Sequence, residues 1–197
     1  MGNKSYTHMA AEYDPLNWNV YFECRVYKIF IPIEIINYYF PRRLLAYSTH
    51  TQEDKMNRLY FLSREVGMIT RTPFDDYIDH IPHLVPFGYV LEELSREIDA
   101  TIRYNFVIAD NYAIFIRMPH FRDRSSRLLC KHITISSRAP FVRYAGEIWY
   151  SRNGHFVVNN SSGTYRPPDR LIKQVLTFFH HLSPNAYFDG VSFRNRT

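Results

Sequence analysis

Residues 144–168 constrain the fold more tightly than any other part of the chain. Asn153 and Gly154 form a dipeptide that tight hairpin turns select, because such turns need central residues that tolerate positive φ. They separate two runs of strand character, Phe141–Tyr150 and Phe156–Asn159. A polar segment, Asn159–Pro168, then leads into a helix expected over Asp169–Leu182. In that helix Leu171, Ile172, Val175, Leu176, Phe179 and Leu182 recur at helical spacing and make one apolar stripe. A strand, a turn, a strand, a loop and an amphipathic helix in this order specify a sheet with a helix packed against it.

The rest of the chain fits the same class. Val20–Ile31 alternates as a strand, and Pro32 stops it and suits the start of a helix over Ile33–Tyr39. Pro41 interrupts, and Arg42–Tyr47 is expected as a short helix or turn. Thr51 with Glu53 and Asp54 offers a capped helix start, and Arg58–Leu62 is a strand candidate. Pro73, Pro82 and Pro86 mark residues 70–86 as an irregular connection. Phe87–Ile98 has helical spacing, and Thr101–Ala109 and Tyr112–Met118 pair as a hairpin around Asp110 and Asn111. Arg122–Arg127 is a charged loop, His132–Ser137 a strand, and Tyr187–Phe193 the closing strand. The expected fold is α+β: an antiparallel sheet, mainly in the C-terminal half, packed with a C-terminal amphipathic helix and N-terminal helices. With no internal repeat and no low-complexity linker, residues 1–197 are expected to form a single domain.

Composition narrows the function classes. At 46% hydrophobic and 22% charged residues, disorder is excluded and a sizeable core is within reach. The aromatic content rests on 16 Tyr and 15 Phe, side chains that serve interfaces as well as cores. Charge is polarised. Residues 1–101 hold 10 Lys/Arg against 14 Asp/Glu (−4), whereas residues 102–197 hold 14 against 5 (+9). The basic half is mostly arginine, which recognises phosphate and carboxylate bidentately. Nucleic acid, an anionic ligand, an acidic protein partner or the chain's own acidic half would each complement it. Nucleic acid lacks any legible binding motif here. Cys24 and Cys130 form no C-x-x-C pair and are expected as buried free thiols, with a disulfide between them as the alternative that sequence does not decide. No apolar run has membrane-spanning length, and the first apolar stretch is broken by Glu23, Arg25 and Lys28, unlike a signal peptide. Tyr6 also stands where a myristoylation pattern wants Ser or Thr. The expected location is cytoplasmic, or exported without a cleavable signal.

One loop carries the strongest site signal. Ser162, Gly163, Tyr165 and Arg166, with Arg170 at the helix start, combine backbone amides, a helix N-terminus and two guanidinium groups. Such a loop suits an anion. The same residues also suit a plain turn with Gly163 at positive φ and Asp169 or Thr164 as the cap. No Walker or dinucleotide fingerprint accompanies them, so the sequence specifies no cofactor. Glu147, in a strand, and His132 are the candidate acid/base residues; the structural alternatives are a solvent-facing or arginine-paired Glu147, with Arg166 within its reach if it faces the loop, and a hydrogen-bonded structural His132. His80 and His83 lie near Asp75, Asp76 and Asp79, but Pro82 spoils a helical ligand spacing, so no metal site is expected. Cys130 and His132 would share a strand face, without further signs of a nucleophile.

His132, then Ala145-Gly146-Glu147, then Asn153-Gly154, then Ser162-Gly163 and Tyr165-Arg166-Pro167 resemble a C-terminal module of plant IQ-motif calmodulin-binding proteins and of bacterial toxin- and effector-like proteins. The resemblance covers roughly residues 130–193. Thr164 stands where that module has His, and no IQ helix is present, so calmodulin binding is not implied. Ser183–Tyr187, Gly190-Val191 and Asn195-Arg196 also resemble the tail of cypovirus polyhedrins, which assemble into crystals. Three functional expectations follow. One is a binding module engaging an anionic ligand or acidic partner through Ser162–Arg166. Another is a nucleotide-using effector enzyme of ADP-ribosyltransferase type working through Glu147, His132 and Arg166. The last is a homo-oligomeric, self-assembling structural protein.

Overall fold

The computed structural model describes residues 26–46, 84–118, 130–136 and 139–193. In chain order these form β1 (Val26–Phe30), α1 (Ile33–Tyr39), β2 (Leu44–Leu45), α2 (Phe87–Ser95), β3 (Tyr104–Ile108), β4 (Tyr112–Arg117), α3 (His132–Ile135), β5 (Phe141–Val142), β6 (Tyr144–Tyr150), β7 (Phe156–Asn159), α4 (Arg170–Leu182) and β8 (Phe188–Val191). The expected features at Thr51–Asp54, Arg58–Leu62, His80, His83 and Arg122–Arg127 lie outside the described residues.

The fold is α+β, with a six-stranded sheet in the order β1-β4-β3-β6-β7-β8. All neighbours are antiparallel except β7 and β8, which run parallel. Parallel neighbours need a long crossover, and α4 supplies it: β7, α4 and β8 are one βαβ unit. The expected closing strand is therefore present, but the sheet is mixed. Among the described residues no helix is long and apolar enough to cross a membrane.

The sheet has two covered faces, which explains the near-continuous apolar character of β3 and β4. On one face Tyr104, Phe106, Phe115, Tyr144 and Ile148 meet α1, α2 and α4. This core is largely aromatic: Phe106 stacks on Phe115 and on Tyr144, and Phe179 packs on Phe87 and Phe106. Much of the Tyr and Phe content is thus spent internally. Phe178 joins Val175 and Phe179 as the buried part of α4, widening the expected stripe. On the opposite face Val107, Ile114, Ile116 and Ala145 meet Cys130, Ile133, Ile135, Val142 and Tyr165.

Three expected elements come out differently. Arg42–Tyr47 contributes a two-residue strand, β2, rather than a helix or turn, because Leu44 and Leu45 find partners in Val142 and Phe141. The run Phe141–Tyr150 is two strands in two sheets. Arg143 is the switch point: its amide donates to the Ile108 carbonyl while its buried side chain turns to α1. Of the expected strand His132–Ser137, the described residues 132–136 form instead the single helical turn α3, closed by Ile135 N–H to Lys131 O and Ser136 N–H to His132 O. Its β-branched residues follow tertiary packing, since Ile133 and Ile135 seat on the second core in this turn. Cys130 and His132 consequently share no strand face. Cys130 is a buried free thiol, and burial pushes its pKa up to about 12.

Candidate functional site

Two polar groups meet where β7 ends beside the middle of β6: a buried junction within the sheet and the loop that leaves it. Asn159 organises the junction and is fully buried. Its side-chain oxygen accepts from the backbone N–H of Glu147 (3.0 Å) and of Ser161 (2.9 Å). Its Nδ2 donates to Glu147 Oε2 at 2.8 Å, and its carbonyl accepts from the Tyr144 hydroxyl at 3.2 Å. That carbonyl oxygen also lies 2.0 Å from where a Cβ on Gly146 would stand, so only glycine admits this approach. Ala145-Gly146-Glu147 and Asn159 are therefore one interlocked unit.

His132, at the start of α3, completes the junction. Its Nε2 donates to the Gly146 carbonyl at 2.9 Å, and the ring is buried. Burial pulls its pKa below the ordinary histidine value, opposed by the Gly146 hydrogen bond and by the charge of Glu147. With the folded pKa below the unfolded one, the unfolded chain takes the proton first on acidification. The stabilisation is complete above about pH 6.5 and is lost as pH falls from there toward the folded value. Urea unfolding at pH 7.5 and 5.5 is expected to show a stability drop that shrinks in His132→Gln. Equal drops in both proteins would remove His132 as the cause.

The loop is held from within by Asn160, also buried. Its Nδ2 donates to the Pro167 carbonyl (2.9 Å) and to Asp169 Oδ1 (2.7 Å), and its Oδ1 accepts from the Phe193 amide (2.9 Å). Tyr165 is a second anchor. Its hydroxyl donates to the Ala139 carbonyl at 2.6 Å and sits 2.7 Å from Ser136 Oγ. Burial drives its pKa up to about 12. Ser162 is buried and uses its hydroxyl to accept the Tyr165 amide at 3.2 Å. Ser162 and Tyr165 thus shape the loop from below.

The loop's exposed side is Gly163, Arg166 and Arg170. Gly163 does not take the positive φ expected of it; Arg166 does, at 43°. The Arg166 amide donates to the Ser162 carbonyl at 3.0 Å, and its guanidinium Nε donates to the Gly163 carbonyl at 3.3 Å. The amides of Gly163 and Thr164 donate to no group among the described residues. Helix α4 has no side-chain cap, against expectation: the Asp169 carboxylate is engaged by Asn160, and no acidic residue lies in the first turn.

His132 and Glu147 are brought together on either side of Gly146. Among the described residues no hydrogen bond joins Arg166 to either of them: Glu147 is held by Asn159, and Arg166 donates through Nε to Gly163 and has a further partner besides. Asn105, Asn159 and Asn160 carry much of the buried polar structure, yet none of the three is among the candidate site residues, although Asn159 and Asn160 open the segment Asn159–Pro168. Their one sequence signal is an amide side chain inside or just beyond an apolar strand run. Among the described residues, no group of three or more His, Cys, Asp or Glu side chains is placed to hold a metal. No family model matches the chain, no curated protein matches it, and no solved structure matches it.

Proposed function

We propose that the chain is a binding module that captures an anionic group, a phosphate or carboxylate of a ligand or acidic partner, on the exposed side of the Gly163–Arg170 loop. The observation that carries this reading is Arg166 at φ 43°. The left-handed region costs an L-residue about 1–2 kcal/mol, and glycine or asparagine takes it more cheaply. Here the position holds an exposed arginine, beside two undonated amides and the start of a helix whose first turn holds no acid. Backbone strain kept at an exposed cationic residue suits a function served by its side chain. Gly163 adds to this. A Cβ there would meet nothing within 4 Å and its φ is ordinary, so the fold itself does not demand glycine at this position. Asp169 opposes an anion, but its carboxylate is turned to Asn160, and Arg170 lies next to it.

Arg166→Gly separates function from fold because the two effects have opposite sign. The variant is expected to melt about 2 °C higher, from relief of roughly 0.5–1 kcal/mol of strain. It is also expected to lose about tenfold in affinity for inorganic phosphate or ATP by calorimetry, together with most of the salt dependence. A variant that melts higher and binds as tightly as the parent would refute the proposal.

A further inference from the structure

A second feature lies on the opposite side of Asn159 from the loop. Across the central strands β3, β6 and β7, one face carries a row of three polar side chains: Asn105, Glu147 and Asn159. Asn105 and Glu147 are register partners, and Glu147 is tied to Asn159 by two hydrogen bonds. Their neighbours on this face, Val107, Ile114, Ile116 and Ala145, are buried apolar residues. A polar row in the middle of a sheet works against burial unless every group finds a partner.

One group does not. Asn105 is 5% exposed, and its Nδ2 donates to the Cys130 carbonyl at 2.6 Å. That bond fixes the amide orientation, because the flipped amide would set two oxygens against each other. Asn105 Oδ1 is then a buried oxygen without a donor, the one such side-chain atom among the described residues. Beside it, Glu147 presents a carboxylate of which Oε2 takes the Asn159 amide, while Oε1 receives no donor among the described residues. Asn159 holds both the main chain and the carboxylate of Glu147, so the acceptor is preorganised. The nearby Arg103 is engaged elsewhere: it stacks on Trp149 and donates to the Ala100 and Ile102 carbonyls.

We infer that Asn105 Oδ1 and Glu147 form a paired acceptor site for a cationic nitrogen group, an ammonium or amidinium, of a small ligand or of a partner's side chain. Acceptor oxygens on two directly opposed strand residues, with one negative charge between them, match a donor that carries several N–H groups and one positive charge. This site is separate from the anion loop and of opposite charge preference.

The test uses the full chain, 15N-labelled, titrated with methylammonium, agmatine and benzamidine, with sodium chloride at matched ionic strength as the control. At least one cation is expected to shift the Asn105 side-chain amide signals saturably, beyond the sodium chloride control. Glu147→Gln, which keeps the acceptor for Asn159, is expected to weaken that binding about tenfold. Asn105→Leu, read at the Asn159 side-chain amide that holds Glu147, is expected to fold, melt higher and show no saturable response. The proposal is overturned if no probe moves the Asn105 signals beyond the control, or if Glu147→Gln binds as tightly as the parent. A urea-unfolding transition as cooperative as the parent's in both variants shows that the fold is intact.

Discussion

Gly146→Ala is expected to cost about 3 kcal/mol of unfolding free energy, the upper end of overpacking penalties. The added methyl would stand 2.0 Å from the Asn159 carbonyl oxygen, 3.1 Å from its carbon and 3.1 Å from the Tyr144 ring. Two of these are main-chain atoms in the β7 strand end and cannot swing away. Relieving the clash would part β6 from the end of β7, and with it the Tyr144 hydroxyl bond and the clamp on Glu147. Gly163→Ala is the matched control. Its Cβ meets nothing within 4 Å, so its stability should stay within about 0.5 kcal/mol of the parent. Urea unfolding of both variants decides the matter, and equal losses would show that the close approach at Gly146 is not what selects glycine.

Arg143→Met is expected to lose about 2–3 kcal/mol, because buried acceptors are left without their donor. Arg143 donates to the Phe40 carbonyl (2.6 Å), to Asn37 Oδ1 (2.7 Å) and to Asp110 Oδ1 (2.7 Å). It thereby fastens the end of α1 to the β3–β4 turn. Asp110 is partly exposed and also pairs with Arg43, so its share of the loss is small. It does give a pH signature. Partial burial raises the Asp110 pKa, but the Arg143 hydrogen bond and the charges of Arg143 and Arg43 outweigh it and hold the carboxyl below its ordinary value. A folded pKa below the unfolded one means stability present above about pH 3.8 and lost as pH falls through the folded value. That acid limb should be shallower in Arg143→Met. An unchanged limb with an unchanged midpoint would mean that Arg143 is not the fastening.

Arg143 also shows where sequence reasoning stopped. In sequence it is one of many arginines in the basic half and counts toward a cationic, anion-binding surface. In the fold it is buried, and its partners lie 33, 103 and 106 residues away. Charge counting cannot see such a pairing, so the +9 of residues 102–197 overstates the charge available to a partner. Arg117 behaves alike, pairing through two nitrogens with Glu97 in the acidic half. The two halves complement each other at these points within one chain.

The candidate site was legible in part. Asn159–Pro168 stood out because a hairpin end, a polar loop and a helix start meet there. Which of its residues turn inward was not legible. Tyr165 and Ser162 read as potential ligand contacts but serve as anchors, while the strained position fell on Arg166 rather than on Gly163. In the sequence Asn105 is a single polar residue within an apolar run. Its meaning depends on Glu147 lying opposite in register.

Local sequence by itself determined the β3–β4 hairpin, the β6–β7 hairpin with Gly154 at φ 79°, the helices α1, α2 and α4, and the α+β class. Those features rest on periodicity and turn chemistry that act within a few residues. Tertiary structure alone decided the strand order, the parallel seat of β8, the helical turn at His132 and the split of Phe141–Tyr150 between two sheets. It also decided that Glu147 answers to Asn159 and not to Arg166. Each of these turns on which distant segment supplies a buried polar group with its partner, and no local pattern encodes that choice.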